Sequence, residues 1–253
     1  MTKIIYKKTI LVCAFTAALT LSSSIQSAPR QAPDVAAPRL GPDRKVDSRY
    51  LALHDSFLAR GKQPLDLLFI GDSITEGWNY VPEIWNENFG KYNPANFGIA
   101  GDQTQHVLWR IEHGELDNIR PKVIVLMIGT NNIDRRPEEI ARGVSKVVSE
   151  IHRRLPQTQI LLLAIFPRGS DPKETSSLWM RPRIAQTNQI LSHLNNTQNV
   201  HYLDIGAKFL DENGFIPKDL MPDGLHPTGP GYKVWAEAIR PLLTEIMKPR
   251  GDS

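Results

Sequence analysis

Four stretches of this chain are mostly apolar, and each is stopped by Gly or Pro. Leu67-Leu68-Phe69-Ile70 runs into Gly71, and the run 123–128 into Gly129. The run 160–166 meets Pro167, and His201-Tyr202-Leu203-Asp204-Ile205 meets Gly206. Runs of this length, without polar alternation, suit strands buried on both faces. A weaker candidate strand covers 95–99. Between the runs, apolar residues recur at helical spacing over 104–116, 138–155, 184–194 and 232–247, and ahead of them over 43–60, through Val46, Tyr50, Leu53, Phe57 and Leu58. Strands alternating with helices predict one α/β domain in three layers, a parallel sheet covered by helices on both faces.

The N-terminal part has a different pattern. Lys3, Lys7 and Lys8 precede a largely apolar run at 10–21, and small polar residues follow to Ala28. That is the layout of a secretory signal, with an apolar run too short to span a bilayer comfortably. Four prolines between Pro29 and Pro42 read as a spacer. The expected organisation is a signal peptide over 1–28, a Pro-rich linker over 29–43 and the folded domain over 44–250. The protein is then secreted or periplasmic, with no stable membrane insertion after cleavage.

Charge and cysteine content narrow the function. The 253 residues carry 30 Lys and Arg against 27 Asp and Glu. Removal of the leader takes away three lysines and no acid, so the remaining chain is neutral, which disfavours a nucleic-acid partner. The single cysteine, Cys13, leaves with the leader. No disulfide, thiol nucleophile or Cys-ligated metal is then expected, and no His-Glu-x-x-His or similar metal-ligand spacing occurs.

Ligands of open parallel sheets bind beyond the carboxyl ends of the strands, so the polar residues that end the apolar runs become the candidates. Ser73 in Gly71-Asp72-Ser73 follows a strand directly and precedes what looks like the opening of a helix. Its hydroxyl then lies at the site edge and its N–H at a helix start, where free donors suit an oxyanion. The alternative is a plain N-cap. The tripeptide alone is weak, since Gly251-Asp252-Ser253 repeats it where no strand precedes. Asp223 and His226 lie three apart on a turn-rich loop and can supply a base and its orienting carboxylate. Gly101 and Asn131 offer a closely approachable N–H and a neutral side-chain donor, although a turn glycine and a strand-end asparagine need no such role. Asp72, adjacent to Ser73, is expected to turn away from it and satisfy loop backbone.

Four blocks in order, Phe69-Ile-Gly-Asp-Ser-Ile-Thr-Glu-Gly77, Asn96-Phe-Gly-Ile-Ala-Gly-Asp102, Gly129-Thr-Asn-Asn132 and Asp223-Gly-Leu-His226, resemble those of the SGNH (GDSL) hydrolases. The stretch 96–132 is especially similar to the catalytic subunits of platelet-activating-factor acetylhydrolases. The resemblance covers roughly residues 65–247. It implies a flavodoxin-like α/β/α fold with a five-stranded parallel sheet. It also implies Ser73 as nucleophile, His226 as base and Asp223 as its orienter, with an oxyanion hole made of the Ser73 and Gly101 N–H groups and the Asn131 side chain. The activity implied is hydrolysis of short-chain esters, acetyl above all, through an acyl-enzyme and without metal or cofactor. The substrate is then a small-molecule or polysaccharide ester, on a carbohydrate or a lipid, and a homodimer stays open.

The rival readings fit less of the sequence. The elbow Gly-x-Ser-x-Gly of the other serine-hydrolase fold fails at Thr75. A phosphate-binding loop fails because no Lys-[Ser/Thr] follows Gly77. Asp72 and Glu76 as paired glycosidase carboxylates leave Asn131 and Asp223/His226 unused. A catalytically inactive carbohydrate-binding relative is the remaining alternative. Trp78, Tyr80, Trp85 and Trp179, near candidate site loops, are the aromatics that could stack on a sugar.

Overall fold

In the computed structural model the described residues are 31–196 and 199–248. The leader expected over 1–28 lies outside them. Five parallel strands, β1 (Leu67–Gly71), β2 (Pro94–Gly98), β3 (Val123–Met127), β4 (Gln159–Leu163) and β5 (Val200–Leu203), form one sheet in the order β2-β1-β3-β4-β5. This is the doubly wound flavodoxin-like order. The helices are α1 (Ser48–Arg60), α2 (Ser73–Glu76), α3 (Pro82–Phe89), α4 (Thr104–Arg110), α5 (Pro137–Arg154), α6 (Thr175–Ser192) and α7 (Gly229–Ile246).

The two faces of the sheet explain why the central strand sequences are largely apolar. Leu68, Ile70, Ile124, Leu126, Ile160 and Leu162 pack on one side against Tyr50, Phe57, Val107, Val144 and Ile151 of α1, α4 and α5. Leu67, Phe69, Val123, Val125, Leu161 and Leu163 pack on the other against Phe89, Trp235, Ile239 and Leu243 of α3 and α7. Successive residues of a strand face opposite layers, so β1 and β3, buried on both faces, are apolar at nearly every position, while the edge strands β2 and β5 admit Asn96 and His201. Among the described residues no helix is long and apolar enough to cross a membrane.

Three local expectations change. Helix α6 begins nine residues before the expected 184 and runs through Pro182, although a proline ordinarily marks a helix boundary. Helix α3, opened by Pro82, was hidden by its weak apolar period. The segment 31–43, expected as a spacer, is packed onto the domain. The Thr104 hydroxyl donates to Pro33 O (2.7 Å), Ala37 N donates to Gln105 O (3.0 Å), and Leu40 bridges Val46. Pro33 and Ala37 are buried. The folded unit therefore starts before residue 44.

Candidate active site

Strand β1 ends at Gly71, which pairs with Gly98 of β2 on one side and Met127 of β3 on the other. This is where the strand order reverses, so the loops leaving β1 and β3 splay apart and open a crevice. Asp72 N-caps α2, its Oδ1 accepting the Ile74 N–H at 3.0 Å. Ser73 is the first helical residue rather than the cap. Its hydroxyl is thereby free for another partner, and it donates to His226 Nε2 at 2.9 Å.

The loop before α7 holds the imidazole from the other side. His226 Nδ1–H donates to Asp223 Oδ2 at 2.6 Å, while Asp223 Oδ1 accepts the backbone N–H of His226 (2.8 Å) and of Leu225 (3.0 Å). A carboxylate only accepts, so it places the proton on Nδ1 and leaves Nε2 as the acceptor facing Ser73. Burial raises the Asp223 carboxyl, but the His226 N–H, its imidazole and the Leu225 N–H outweigh that and hold it below the ordinary carboxylate range. Asp72 differs: it is buried away from the imidazole, and burial pushes its carboxyl up to about 7.

Gly101 and Asn131 come together at the opposite lip of the crevice. Gly101 has φ +83°, in a turn closed by Asp102 N donating to Ile99 O (3.0 Å). Among the described residues no acceptor takes the N–H of Gly101. Gly98, the other glycine of this block, is a packing residue: a Cβ there would lie 2.3 Å from Glu76 N. Asn131 Nδ2 donates to Asp102 O at 2.9 Å, and its amide keeps a second proton. The Asn131 carbonyl accepts Gln103 Nε2 at 2.6 Å, which ties the two loops together. Beneath them a buried Arg110 donates to Asp102, Glu115 and Phe97 O. Burial, with Arg39 and Arg110 adding to it, pushes the His106 imidazole down to about 4. Neutral at physiological pH, that ring accepts the Gln103 N–H at Nδ1 (3.1 Å).

A cavity of about 430 Å³ adjoins Ser73 and His226 and is walled by Arg49, Glu76, Tyr80, Val81, Pro227 and Thr228 among others. Glu76 and Arg49 were not singled out from the sequence as a pair. Glu76 is 6% exposed, takes a hydrogen bond from Arg49 Nη2 and accepts Ala100 N–H at 2.5 Å. No sequence pattern joins residues 49, 76 and 100. Of the aromatics considered for sugar stacking, Trp78 is 1% exposed in the core, which removes it as a platform, while Trp85 is half-buried and packs edge-on against Phe69, away from the Ser73 cavity lining. Tyr80, 78% exposed, stands at the cavity. Trp179 is exposed and stacks with Arg183. Among the described residues no group of three or more His, Cys, Asp or Glu could hold a metal ion.

Comparison with known proteins agrees with this architecture. Residues 69–234 match the model of the GDSL-like Lipase/Acylhydrolase family. The chain is 39% identical over 216 residues to subunit alpha2 of rat (Rattus norvegicus) platelet-activating factor acetylhydrolase IB, covering 84% of this chain and 91% of that one. A solved Streptococcus pneumonia structure superposes with a TM-score of 0.67 at 27% identity, over 77% of this chain and 92% of the other. The acetylxylan esterase Axe2 of Geobacillus stearothermophilus shares the fold, with a TM-score of 0.54 at 22% identity over 72% of this chain and 94% of its own.

Proposed function

The chain belongs to the GDSL-like lipase/acylhydrolase family and is a carboxylic ester hydrolase; from there we propose that it is an exported serine esterase acting on acetyl esters. Ser73 is the nucleophile, His226 the general base and acid, and Asp223 the orienting carboxylate. The observation that carries this reading is the continuous relay from Asp223 Oδ2 to His226 Nδ1 (2.6 Å) and from His226 Nε2 to Ser73 Oγ (2.9 Å).

In the first half-reaction Ser73 Oγ attacks the ester carbonyl as His226 Nε2 takes its proton. The negative charge that develops on the carbonyl oxygen is met by the N–H groups of Ser73 and Gly101 and by the spare amide proton of Asn131. These donors are preorganised, so they stabilise the charge without reorganising as it forms. His226 then hands the proton to the departing alcohol, leaving an acyl-Ser73. Water, activated by the same imidazole, repeats the sequence and frees the acid. The alcohol leaves past His226, so the adjoining 430 Å³ cavity is assigned to the leaving group. No step requires a metal or a cofactor.

Acetyl as the acyl group is supported by the acetylhydrolase relatives. Export is supported by the three lysines and the apolar run at 10–21. The alcohol is a carbohydrate or a lipid, and the exposed Tyr80 ring at the cavity suits either. The test is hydrolysis of nitrophenyl acetate, butyrate and octanoate by the wild type and by Ser73→Ala. Turnover should be fastest on acetate, vanish in the variant without loss of folding, and be blocked by an organophosphate found on Ser73. Label on another serine overturns the assignment, and equal rates on octanoate overturn the acetyl preference.

A further inference from the structure

Arg39 lies in the segment expected to be a spacer, yet its guanidinium reaches the site. Arg39 Nη1 donates to the carbonyl of Ala100, 61 positions away. That carbonyl belongs to the peptide whose nitrogen is Gly101 N. In a planar trans peptide the C=O and the N–H point in opposite directions, and no cis peptide occurs among the described residues. A group that fixes the Ala100 carbonyl therefore also fixes the direction of the Gly101 N–H, which no acceptor among the described residues holds.

From this geometry we propose that Arg39 is a positioning residue of the oxyanion hole, holding the Ala100–Gly101 peptide so that its N–H is aimed at the reacting carbonyl. The proposal rests on the assignment of Gly101 as an oxyanion donor.

Three further features support it. The neighbouring N–H, that of Ala100, is itself held by Glu76 Oε2, so the residue is gripped on both sides. With its carbonyl bound, the peptide has little freedom to flip. A cation on the carbonyl oxygen also draws electrons from the amide, which makes the N–H a stronger donor. Arg39 is rigid enough for the task. It pairs with Asp47 Oδ1 at 3.2 Å, and its guanidinium carbon lies 5.5 Å from the centre of the Tyr50 ring. Asp47 caps α1, accepting Tyr50 N–H at 2.7 Å, and its own N–H donates to Arg39 O at 2.9 Å. Tyr50 in turn donates from its hydroxyl to His106 O at 2.8 Å. The arginine is thus anchored to α1, and its free end is spent on one carbonyl.

A merely structural clip and an oxyanion support predict different kinetics. The full-length wild type, Arg39→Ala, Arg39→Met and Ser73→Ala are compared on a chromogenic acetate ester. Melting temperature, kcat, KM and affinity for a trifluoromethyl ketone, which forms a tetrahedral adduct on serine, are measured. Removal of an oxyanion donor costs about 10²–10³ in kcat, and loss of its alignment should cost less, about 10–10²-fold. We expect that fall in kcat with KM nearly unchanged, a parallel loss of ketone affinity, and partial recovery of Arg39→Ala by guanidinium ion at a sub-denaturing concentration. Arg39→Met keeps an aliphatic side chain of similar length and removes the donors, so it decides the matter if Arg39→Ala does not fold. Wild-type kcat in a folded Arg39→Met, with Ser73→Ala inactive, overturns the role of Arg39 alone. A wild type without Ser73-dependent turnover overturns the reading of the site, and this proposal with it.

Discussion

Asp223 holds His226 at two points: its Oδ2 accepts a hydrogen bond from the imidazole Nδ1–H at 2.6 Å and its Oδ1 accepts the His226 backbone N–H, along with that of Leu225. One carboxylate therefore shapes the loop and sets the tautomer of the base. In Asp223→Asn the side-chain oxygen can still serve the backbone, but the amide nitrogen cannot accept from Nδ1. The base is then stabilised in the wrong tautomer, and kcat should fall by up to ~10⁴ with little change in melting temperature. Steady-state kinetics beside thermal melts check this, and a fully active Asp223→Asn contradicts it.

Asn131 has one amide proton committed to Asp102 O and one spare. Asn131→Ala should lower kcat by roughly 10²–10³ with KM nearly constant, as expected of a donor used only in the transition state. Asn131→Asp is close to isosteric, yet it replaces the donor with a charge that repels the oxyanion. It should be the slower of the two. A rise in KM alone would mark Asn131 as a ground-state contact.

Asp72 makes stability depend on pH in the direction opposite to most carboxylates. The unfolded chain releases this proton near ~3.9, and the native state, through burial, only at about 7. Between those values the native state binds more protons than the unfolded state, so stability falls as pH rises across the window and levels off above it. Asp72→Asn keeps an acceptor for the Ile74 N–H and carries no charge, so denaturant unfolding at pH 5 and pH 8 should differ less than in the wild type. Asp72→Ala orphans that N–H and should cost roughly 1–3 kcal/mol at both. An unchanged pH slope in Asp72→Asn sinks the assignment.

Gly98 sits where β2 touches α2, the short helix that begins at Ser73. A Cβ would lie 2.3 Å from Glu76 N, 2.7 Å from Thr75 C and 2.9 Å from Glu76 Cα, all backbone atoms. Gly98→Ala should therefore push α2 aside, costing about 1–3 kcal/mol by overpacking and lowering kcat by displacing Ser73. Gly90→Ala, whose nearest neighbour is a side-chain atom at 3.9 Å, is the control and should leave both untouched. Melting curves and kcat for the pair provide the comparison.

The strands were legible along the chain because their signal is local. Leu67 to Ile70, Val123 to Met127 and Ile160 to Leu163 are apolar at every position, since both faces of the sheet are covered, and a glycine or proline marks where each run stops. The candidate site was legible for a related reason: strand-end serine, Asp-x-x-His loop and strand-end asparagine each carry their candidate chemistry in a few consecutive residues. Whether Pro33 to Pro42 hangs free or packs is another matter. It depends on partners that remote segments offer, namely Thr104 Oγ1 and the carbonyl of Gln105. The burial of Trp78 and exposure of Tyr80, two positions apart, likewise follow from how Tyr232 of α7 packs against the short 3₁₀ turn at 77–80. Strand alternation and the Asp-x-x-His spacing already set Asp72 and Asp223 apart, and the fold adds their partners, the Ile74 N–H for one and the His226 imidazole for the other. The contact of Arg39 with Ala100, and that of Glu76 with Arg49 and Ala100, have no sequence signature at all. Hydrophobic period and turn chemistry act over a few residues and survive in any chain that keeps them. A hydrogen bond across 61 residues exists only after the sheet register and the crossover connections have brought donor and acceptor to the same edge.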